Sequence, residues 1–402
     1  MAAVPSRTAA ARIVNDVRRR GDAALRDWRR RLGDAPGPIE VTARELERGW
    51  DSTPADVRKA IRFAARNIRI VAERQRPRPF AVSPVRGVRI EQRVVAFNRV
   101  GCYVPAGRYP LPSSLLMTAV TARAAGVTEV IAVCPKPSAV VYAAALEAGV
   151  DRLFRVGGAQ AIAAMAYGTR TIPRVDKIAG PGNAWVTAAK SLVSADCAID
   201  MHAGPSEIAI YSNTGDPEWI AADLLAQAEH DPLARAIFVT TRPALAKAVR
   251  ARVDRSFSVG RSSNVGRSSG VGRSFSSGIN RTINVVPSRA AALALMNAIA
   301  PEHAVCDNAA DARALTTAGT VFVGRWSAQA SGDYATGSNH VLPTNGAARW
   351  RGGLSAADFV RVFTVQTLTR SGVRAIGPAA MALARAEGLV AHEASIALRV
   401  PR

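Results

Sequence analysis

Residues 130–156, VIAVCPKPSAVVYAAALEAGVDRLFRV, contain the pattern that decides the fold of this chain. Val130 to Val133 is a continuous apolar run, and Leu153 to Val156 is a second, mostly apolar one. Between them, residues 138–148 are rich in alanine, which favours a helix. A strand without a polar face has to be buried on both sides, so this segment predicts two parallel strands joined by a helix that covers the sheet.

The same alternation of apolar runs and alanine-rich segments extends on both sides of this unit. Residues 113–125 and 183–195 have helical composition, and Ile208 to Ile210 is another short apolar run. We therefore predict an α/β protein with parallel sheets covered by helices on both faces. Sheets of this kind bind ligands at the carboxyl ends of their strands, so the site is expected in strand-to-helix loops.

Helices are also predicted at both ends of the chain. Apolar residues at helical spacing indicate two short amphipathic helices near the N-terminus, and Thr53-Pro54 opens a longer one. After Pro343, helical patterns return at Ala357 to Thr369 and at Pro378 to Glu387. The helices are expected to flank the sheets as small additions.

Residues 255–278 are the one low-complexity tract and consist of four copies of a six-residue repeat. Every copy starts with Arg-Ser and contains mostly Ser and Gly besides one or two Val or Phe residues. Such a segment cannot bury enough apolar surface to offset the entropy lost on ordering. We predict a flexible surface loop here.

The composition excludes several classes of protein. With 402 residues, of which 48% are hydrophobic, the chain can bury a core large enough for two or more domains. It has no apolar stretch of about 18 residues, no signal-peptide pattern and no Cys-x-x-Cys pair, so we expect a cytoplasmic protein. The net charge is +22, but the basic residues form no stripe with aromatic residues, and we interpret them as a solvated surface and not as a nucleic-acid-binding face.

Two short motifs carry groups that could bind a cofactor. Gly180-Pro-Gly-Asn183 follows an apolar strand and opens a helix, where free N–H groups and the helix dipole can hold a phosphate. The alternative is a plain strand-to-helix turn. Gln227 and His230 stand three residues apart in a predicted helix over 221–230, so both could bind one ion, although pairs at this spacing are usually incidental.

Two further motifs point to proton transfer and binding. Glu302-His303 places a carboxylate beside an imidazole, the groups that most often transfer protons near neutral pH. Segment 332–344, GDYATGSNHVLPT, surrounds Asp333 and His340 with glycines and small polar residues, which favours a binding loop over a piece of core. For His340, a role beside the site and simple ordering of the loop both remain open.

Taken together and in this order, seven motifs resemble the histidinol dehydrogenase family, and the resemblance extends from about residue 10 to residue 400. A chance match of all seven is implausible. The motifs are GCYVP at 101–105, VGGAQAI at 156–162, VDKIAGPGN at 175–183, AGPSE at 203–207, QAEH at 227–230, PEH at 301–303 and GDYATGSNHVLPT at 332–344.

The resemblance implies two incomplete Rossmann-like domains with parallel sheets, small helical additions at both termini, and a homodimer that exchanges its tails. It also implies a division of the chain into four parts. These are the N-terminal helices and first part of domain one at 1–102, a second, NAD-side domain at 103–206, the rest of domain one with the zinc and catalytic motifs at 207–345, and a helical tail that contributes to the partner's site at 346–402.

By matching motif positions, the resemblance also implies the residues that hold zinc, substrate and NAD. One Zn²⁺ per subunit would be bound by Gln227, His230, Asp333 and His392 of the partner subunit. Besides these ligands, the substrate would contact Ser206, His303 and Glu387 of the partner subunit. NAD would contact Tyr103, Gln160 and Asn183.

The implied activity is the oxidation of L-histidinol through L-histidinal to L-histidine, the last step of histidine biosynthesis. His303 would take the alcohol proton, Glu302 would activate water for the second oxidation, and zinc would orient the substrate. Two alternatives remain open. One is a paralogous zinc and NAD dehydrogenase of another small alcohol, such as a sulfonated diol, and the other is a binding protein that has lost catalysis.

Overall fold

The computed structural model describes residues 7–106, 111–202, 204–230, 233–262 and 280–400, which form three sheets and their covering helices. The strands are β1 (Phe80–Val82), β2 (Val88–Ala96), β3 (Arg99–Tyr103), β4 (Glu129–Val133), β5 (Arg152–Phe154), β6 (Lys177–Ala179), β7 (Ala198–Ile199), β8 (Glu207–Tyr211), β9 (Arg235–Thr240), β10 (Asn280–Val285), β11 (His303–Cys306), β12 (Thr320–Val323) and β13 (Val360–Leu368). The helices are α1 (Arg7–Arg20), α2 (Asp22–Leu32), α3 (Ala43–Ser52), α4 (Ala55–Gln75), α5 (Pro112–Ala125), α6 (Ala139–Glu147), α7 (Gly158–Tyr167), α8 (Ala184–Val193), α9 (Pro217–His230), α10 (Pro243–Ser262), α11 (Arg289–Ile299), α12 (Ala309–Ala314), α13 (Gln329–Tyr334), α14 (Arg370–Ala386) and α15 (Val390–Ala397).

The first sheet has the strand order β5-β4-β3-β6-β7, with all pairs parallel. Its predicted elements are confirmed: β4 contains the first apolar run, β5 contains the first two residues of the second, and α5, α6 and α8 fall on the alanine-rich segments. The strand order reverses between β3 and β6. In a sheet wound this way, the crevice for a ligand lies at the carboxyl ends of those two strands.

The second sheet is wound in the same way, with the order β10-β9-β8-β11-β12 and parallel pairs throughout. Strand β8 contains the predicted apolar run Ile208 to Ile210 and is buried along its whole length. Both five-stranded sheets are therefore parallel, as predicted. Residues 200–206 connect the first sheet to the second and contain the domain boundary proposed at 206, which stays a prediction.

A third, antiparallel sheet corrects the prediction of a helix over Ala357 to Thr369. Residues 360–368 form β13, which pairs with β2 from Val360 opposite Ala96 to Leu368 opposite Val88, while β1 covers the other edge of β2. The segment is rich in β-branched and aromatic residues, which pack well on a pleated surface. Its partner strand lies more than two hundred residues earlier, so local periodicity could not reveal it.

The repeat tract begins inside a helix, which corrects the prediction of a flexible loop for its first residues. Helix α10 runs through Ser262 and so includes the first copy, 255–260. Extending an existing helix fixes one residue per hydrogen bond and costs far less than nucleation, so α10 can continue into an unfavourable composition. Residues 263–279 lie outside the described part of the structure.

The N-terminal part of the chain packs against the first sheet. The two predicted amphipathic helices are confirmed as α1 and α2, and α1 contacts α7 and α8. The segment between α2 and α3 then crosses the carboxyl ends of the strands. Its backbone N–H groups at Ala35 and Val41 donate to Pro135 O at 2.8 Å and to Leu153 O at 2.8 Å. The segment therefore covers the carboxyl ends of β4 and β5.

The C-terminal tail extends away from the core. Helices α14 and α15 contact each other, and α14 also contacts β13. No residue of α15 is buried, and its side chains Val390 and Leu398 are 74% and 86% exposed. The tail thus presents apolar surface that the single chain does not cover. In the described ranges, no helix is long and apolar enough to cross a bilayer.

Candidate active site

The predicted catalytic residues and the predicted substrate contact Ser206 lie at the amino ends of two adjacent strands of the second sheet. Ser206 directly precedes β8, Glu302 directly precedes β11, and His303 is the first residue of β11. Because β8 and β11 are parallel neighbours, these three side chains come together. The expectation that the site would lie only at carboxyl ends was wrong here, since the chain builds this cluster where it enters the two strands.

Three side chains of this cluster form a hydrogen-bonded chain. Gln227 Nε2 donates to Ser206 Oγ at 2.6 Å, and Ser206 Oγ donates to Glu302 Oε2 at 2.5 Å. The backbone N–H of Glu207 donates to the same Glu302 oxygen at 2.8 Å. Burial raises the pKa of Glu302, and the nearby imidazole and these hydrogen bonds offset only part of that effect. The carboxylate is thereby a stronger base than a solvated one.

The backbone sets which nitrogen of His303 can accept a proton. His303 Nδ1 lies 3.1 Å from the carbonyl oxygen of Glu207, so Nδ1 carries the proton and donates. Nε2 is buried and has no hydrogen-bond partner among the described residues; Asp333 Oδ1 lies 3.7 Å away and acts on it through charge. Burial by itself lowers the pKa of His303, but the carboxylates of Asp333 and Glu302 raise it above its ordinary value.

The predicted zinc residues of this chain fall on two helices that contact each other, α9 and α13. Gln227 Oε1 is buried and has no hydrogen-bond partner in the described ranges, which suits an amide oxygen that binds a metal. Asp333 lies in the short helix α13 and not in a loop, and Gln329 Nε2 donates to its Oδ2 at 2.8 Å. His230 ends α9, and its side chain lies outside the described part.

These donors fit Zn²⁺ as far as they are described. Within the described residues, no three His, Cys, Asp or Glu side chains gather into a metal site. Gln227 contributes an amide oxygen and Asp333 a carboxylate, and α9 brings His230 onto the turn after Gln227. An amide oxygen, a carboxylate and imidazoles are ligand types that zinc accepts in four-coordinate sites.

Two predicted residues are not brought to this cluster by their own chain. Glu387 lies at the C-terminal end of α14 and His392 lies in α15, and both are exposed. The cluster that one chain assembles consists of Ser206, Gln227 and Glu302 with the neighbouring imidazole and aspartate. The tail residues are presented outward instead.

The predicted NAD residues lie on the other parallel sheet, at the carboxyl ends of the strands of the first sheet. Tyr103 ends β3, and its hydroxyl accepts a hydrogen bond from Gly158 N at 3.1 Å. Burial raises the pKa of Tyr103 to about 12, so this hydroxyl stays neutral. Gln160, in the first turn of α7, is fully buried, and its Oε1 has no hydrogen-bond partner among the described residues. A buried amide oxygen is therefore left to accept a donor from a ligand.

Asn183 lies in the turn that joins β6 to α8, as the sequence indicated. Gly180 has φ +119°, and a Cβ there would lie 2.2 Å from the carbonyl oxygen of Tyr103, so only glycine fits. Asn183 is exposed and caps α8: its side chain accepts hydrogen bonds from Trp185 N at 3.0 Å and Val186 N at 3.2 Å. A phosphate could use these two N–H groups only if the Asn183 side chain moved away.

Segment 332–344 joins the two edges. His340 Nδ1 donates to the carbonyl oxygen of Asp333 at 2.9 Å, and its Nε2 lies 3.5 Å from Ser114 Oγ at the start of α5. Asn339 Nδ2 donates to Met117 O in the same helix at 2.8 Å. His340 therefore both orders the loop and lies beside the site.

A carboxylate that the sequence reasoning missed lies next to Gln160. Asp34 Oδ2 accepts hydrogen bonds from Gly157 N at 3.2 Å and from Gln160 Nε2 at 3.4 Å. Asp34 belongs to the segment that crosses the carboxyl ends of the first sheet. The available signal was an acidic residue in the loop Gly33 to Pro38, which is rich in glycine and proline.

A buried ion pair, also missed, holds the turn that contains Gly180. Lys190 Nζ contacts Asp200 Oδ1, and the two side chains are 3% and 0% exposed. Lys190 Nζ also donates to Gly180 O at 2.9 Å, and Gly180 N donates to Asp200 Oδ2 at 2.7 Å. Asp200 Oδ1 accepts a further bond from Met201 N at 2.6 Å. The pair thereby ties the turn to the connector between the sheets.

One carboxylate on α9 gives a pH-dependent prediction. Burial raises the pKa of Asp223, one turn before Gln227, from 3.8 to about 6. A folded-state pKa above the unfolded one means that the ionised side chain disfavours folding once the pH exceeds about 6. Asp223→Asn should therefore raise the free energy of unfolding by about 1 kcal/mol at pH 8 after allowance for partial exposure, and the gain should vanish below about pH 4.

Urea denaturation of the metal-free protein between pH 4 and 8 measures this difference. Glu218→Gln replaces an exposed carboxylate on the same helix and is expected to change stability little at any of these pH values. A variant Asp223→Asn that is less stable than the wild type at pH 8 would mean that the carboxylate has a stabilising contact.

Comparison with known proteins gives one consistent result. The family model for histidinol dehydrogenase matches residues 3–400. A histidinol dehydrogenase of Caulobacter vibrioides is 44% identical over 98% of this chain and 92% of the relative, and one of Aromatoleum aromaticum is 41% identical over 98% and 91%. The crystal structure of histidinol dehydrogenase from Elizabethkingia anophelis superposes with a TM-score of 0.90 at 31% identity, covering 98% of this chain and 92% of that one. The chain therefore belongs to the histidinol dehydrogenase family.

Proposed function

We propose that the cluster at the amino ends of β8 and β11 oxidises L-histidinol in two steps to L-histidine. One observation carries this proposal: His303 Nε2 and Gln227 Oε1 are both buried and have no hydrogen-bond partner in the described ranges, and contacts through Ser206 and Glu302 connect the two residues. The site thus offers a base beside a metal ligand. Family membership makes the chain an oxidoreductase of histidine biosynthesis that depends on zinc and NAD.

Zinc would be held by Gln227, His230 and Asp333 of one chain together with His392 of the partner subunit. It would supply a Lewis acid that holds the substrate in a fixed orientation. Gln329 supports this arrangement, because its hydrogen bond to Asp333 limits the rotation of that carboxylate. Ser206 supports it from the other side by accepting the hydrogen bond of the Gln227 amide.

In the first oxidation, His303 Nε2 accepts the hydroxyl proton while the carbinol carbon loses a hydride. The Glu207 carbonyl holds the opposite nitrogen as a donor, so the imidazole presents its lone pair without first changing tautomer. The carboxylates of Glu302 and Asp333 stabilise the resulting imidazolium. Tyr103, Gln160 and Asn183 would hold NAD, which would supply the hydride acceptor for both oxidations.

In the second oxidation, Glu302 removes a proton from the water that adds to the aldehyde. Both of its described hydrogen bonds reach Oε2, which leaves Oε1 to act on water. The hydrate then loses a hydride from carbon and a proton from oxygen to His303, giving the carboxylic acid. Water supplies the added oxygen, and each oxidation releases one proton and reduces one NAD.

The test measures NADH formed from L-histidinol by purified, zinc-loaded protein. We expect two NADH per histidine, loss of turnover after treatment with a chelator, and its return when Zn²⁺ is added back. His202→Ala, an exposed histidine outside the cluster, is the matched control and should leave turnover unchanged. No turnover of histidinol by folded, zinc-bound protein, combined with NADH formation from a sulfonated diol, would replace this proposal with the paralogous activity.

We further propose that two chains exchange their tails, so that Glu387 and His392 complete the site of the partner. The support is the exposed tail: α15 has no buried residue, and Val390 and Leu398 lie in solvent. Leaving this much apolar surface uncovered is unfavourable, and a second copy of the chain would cover it.

Complementation tests the exchanged site. His303→Ala and His392→Ala homodimers should both be inactive, because each site contains one altered residue. In a mixed dimer one site carries both changes and the other carries neither, so coexpression should restore about a quarter of the wild-type activity if the subunits assort randomly. Mixed protein without activity would show that each chain completes its own site.

The four cysteines bear on the compartment. All of them are buried thiols, and burial raises the pKa of Cys102 and of Cys134 to about 12. Free thiols are typical of proteins in a reducing compartment. We therefore keep the cytoplasm as the proposed location.

A further inference from the structure

We propose that Asp34 is the residue that makes this enzyme select NAD over NADP. The inference rests on the proposed NAD site at the carboxyl ends of the first sheet. It adds a residue that none of the seven motifs contains and that comes from outside the sheet. Asp34 would bind the ribose hydroxyls of the adenosine half and repel a phosphate on the 2′-oxygen.

The position of Asp34 is fixed by the backbone around it. Residue 35 donates its N–H to Pro135 O just beyond β4, and Arg155 N donates to Ile39 O at 2.7 Å beyond β5. Arg29 further holds the segment through a hydrogen bond to Ala35 O at 2.6 Å. The backbone that follows Asp34 is therefore attached to the ends of β4 and β5, which fixes where this residue lies.

The contacts of Asp34 place it in the proposed site and leave one oxygen for a ligand. Its Oδ2 accepts from Gly157 N and from the amide of Gln160, and Gln160 is itself a predicted NAD contact. No described hydrogen bond reaches Oδ1, and no described cation lies within ion-pair distance of the carboxylate. Gln160 Oε1 is buried and likewise has no hydrogen-bond partner in the described residues.

The chemistry of the ribose explains why a carboxylate selects between the two dinucleotides. The 2′- and 3′-hydroxyls of NAD are donors that a carboxylate accepts, and dinucleotide-binding α/β folds commonly use Asp or Glu for this contact. A 2′-phosphate has no such donor and carries up to about two negative charges, so it would be repelled by Asp34. Arg29 and Lys136, whose positive charges act on Asp34, would attract a phosphate once the Asp34 charge is removed.

The experiment measures dissociation constants of NADH and NADPH by calorimetry, alongside kcat/KM for NAD and NADP, for the wild type and Asp34→Asn. We expect the wild type to prefer NADH and the variant to lose about tenfold or more of that preference, through weaker NADH and stronger NADPH binding. Asp27→Asn, an exposed carboxylate nearby in sequence, is the matched control and should leave the preference unchanged.

A structural role for Asp34 would weaken both dinucleotides equally, and an unchanged ratio would overturn the inference. Lys136→Glu is a second, independent variant. It should weaken NADPH binding relative to NADH binding if the 2′-phosphate lies close to this residue. Binding is measured without substrate, so an altered ratio supports the inference even if histidinol proves not to be the substrate. Conversely, histidinol oxidation with an unchanged ratio leaves the proposed function intact and removes this inference alone.

Discussion

Glu302→Gln is expected to slow the second oxidation of L-histidinol by about 10² to 10⁴-fold and the first by a much smaller factor, because the first step loses only one of the two carboxylates that stabilise the His303 imidazolium. The amide keeps the shape of the side chain but cannot take a proton from water. The reaction should therefore stop after one NADH per histidinol, with the aldehyde accumulating.

His303→Asn should slow the oxidation of histidinol itself by a similar factor, since Nε2 is the proposed base for the hydroxyl.

Separate assays that start from histidinol and from histidinal measure the rates of the first and the second oxidation. Zinc content, determined by elemental analysis, has to be the same in both variants, because His303 lies close to the proposed zinc ligand Asp333. If Glu302→Gln slowed both halves equally at full zinc content, the carboxylate would be acting through His303 and not on water.

Breaking the buried pair of Lys190 and Asp200 is expected to have the largest effect on stability. Lys190→Met leaves the Asp200 carboxylate buried without its cation, which costs about 3 to 5 kcal/mol of unfolding free energy in comparable sites. The turn at Gly180 also loses a hydrogen bond, so the KM for NAD should rise. The double variant Lys190→Met with Asp200→Leu should recover part of the stability, because no unpaired charge remains.

Chemical denaturation of the single and double variants gives the coupling between the two residues. The matched control is Arg30→Met, which removes the surface ion pair of Arg30 with Asp27 and should cost at most about 1 kcal/mol. A Lys190→Met protein as stable as this control would show that water or a rearranged side chain replaces the ammonium group.

The sequence was most informative where local pattern and tertiary environment agree. Val130 to Val133 and Ile208 to Ile210 are apolar without interruption because both faces of their strands are covered, and they are β4 and β8 in the structure. Strand β13 was missed because its hydrogen bonds go to β2, far away in the chain. A pattern within a few residues cannot express such a pairing.

The same limit applies to the candidate site. Glu302 and His303 are adjacent in sequence, so their joint role could be predicted, whereas the hydrogen bond between Asp34 and Gln160 joins residues 126 positions apart. Lys190 and Asp200 are only ten positions apart, yet they meet only because α8 and the connector fold back on each other. Only the three-dimensional fold creates these contacts.

The proposed cofactor residues and the proposed proton-transfer residues lie on different sheets, and segment 332–344 contacts both α5 of the first sheet's side and His303 of the second sheet. Hydride transfer requires reacting atoms about 3 to 3.5 Å apart. We therefore expect the length of segment 332–344 to affect the rate of hydride transfer. We expect an added residue in segment 332–344 to separate the reacting atoms by more than this distance. The repeat tract instead precedes β10, the edge strand two places from β8. Among related enzymes, the length of the repeat tract should therefore vary, whereas the length of segment 332–344 should stay constant.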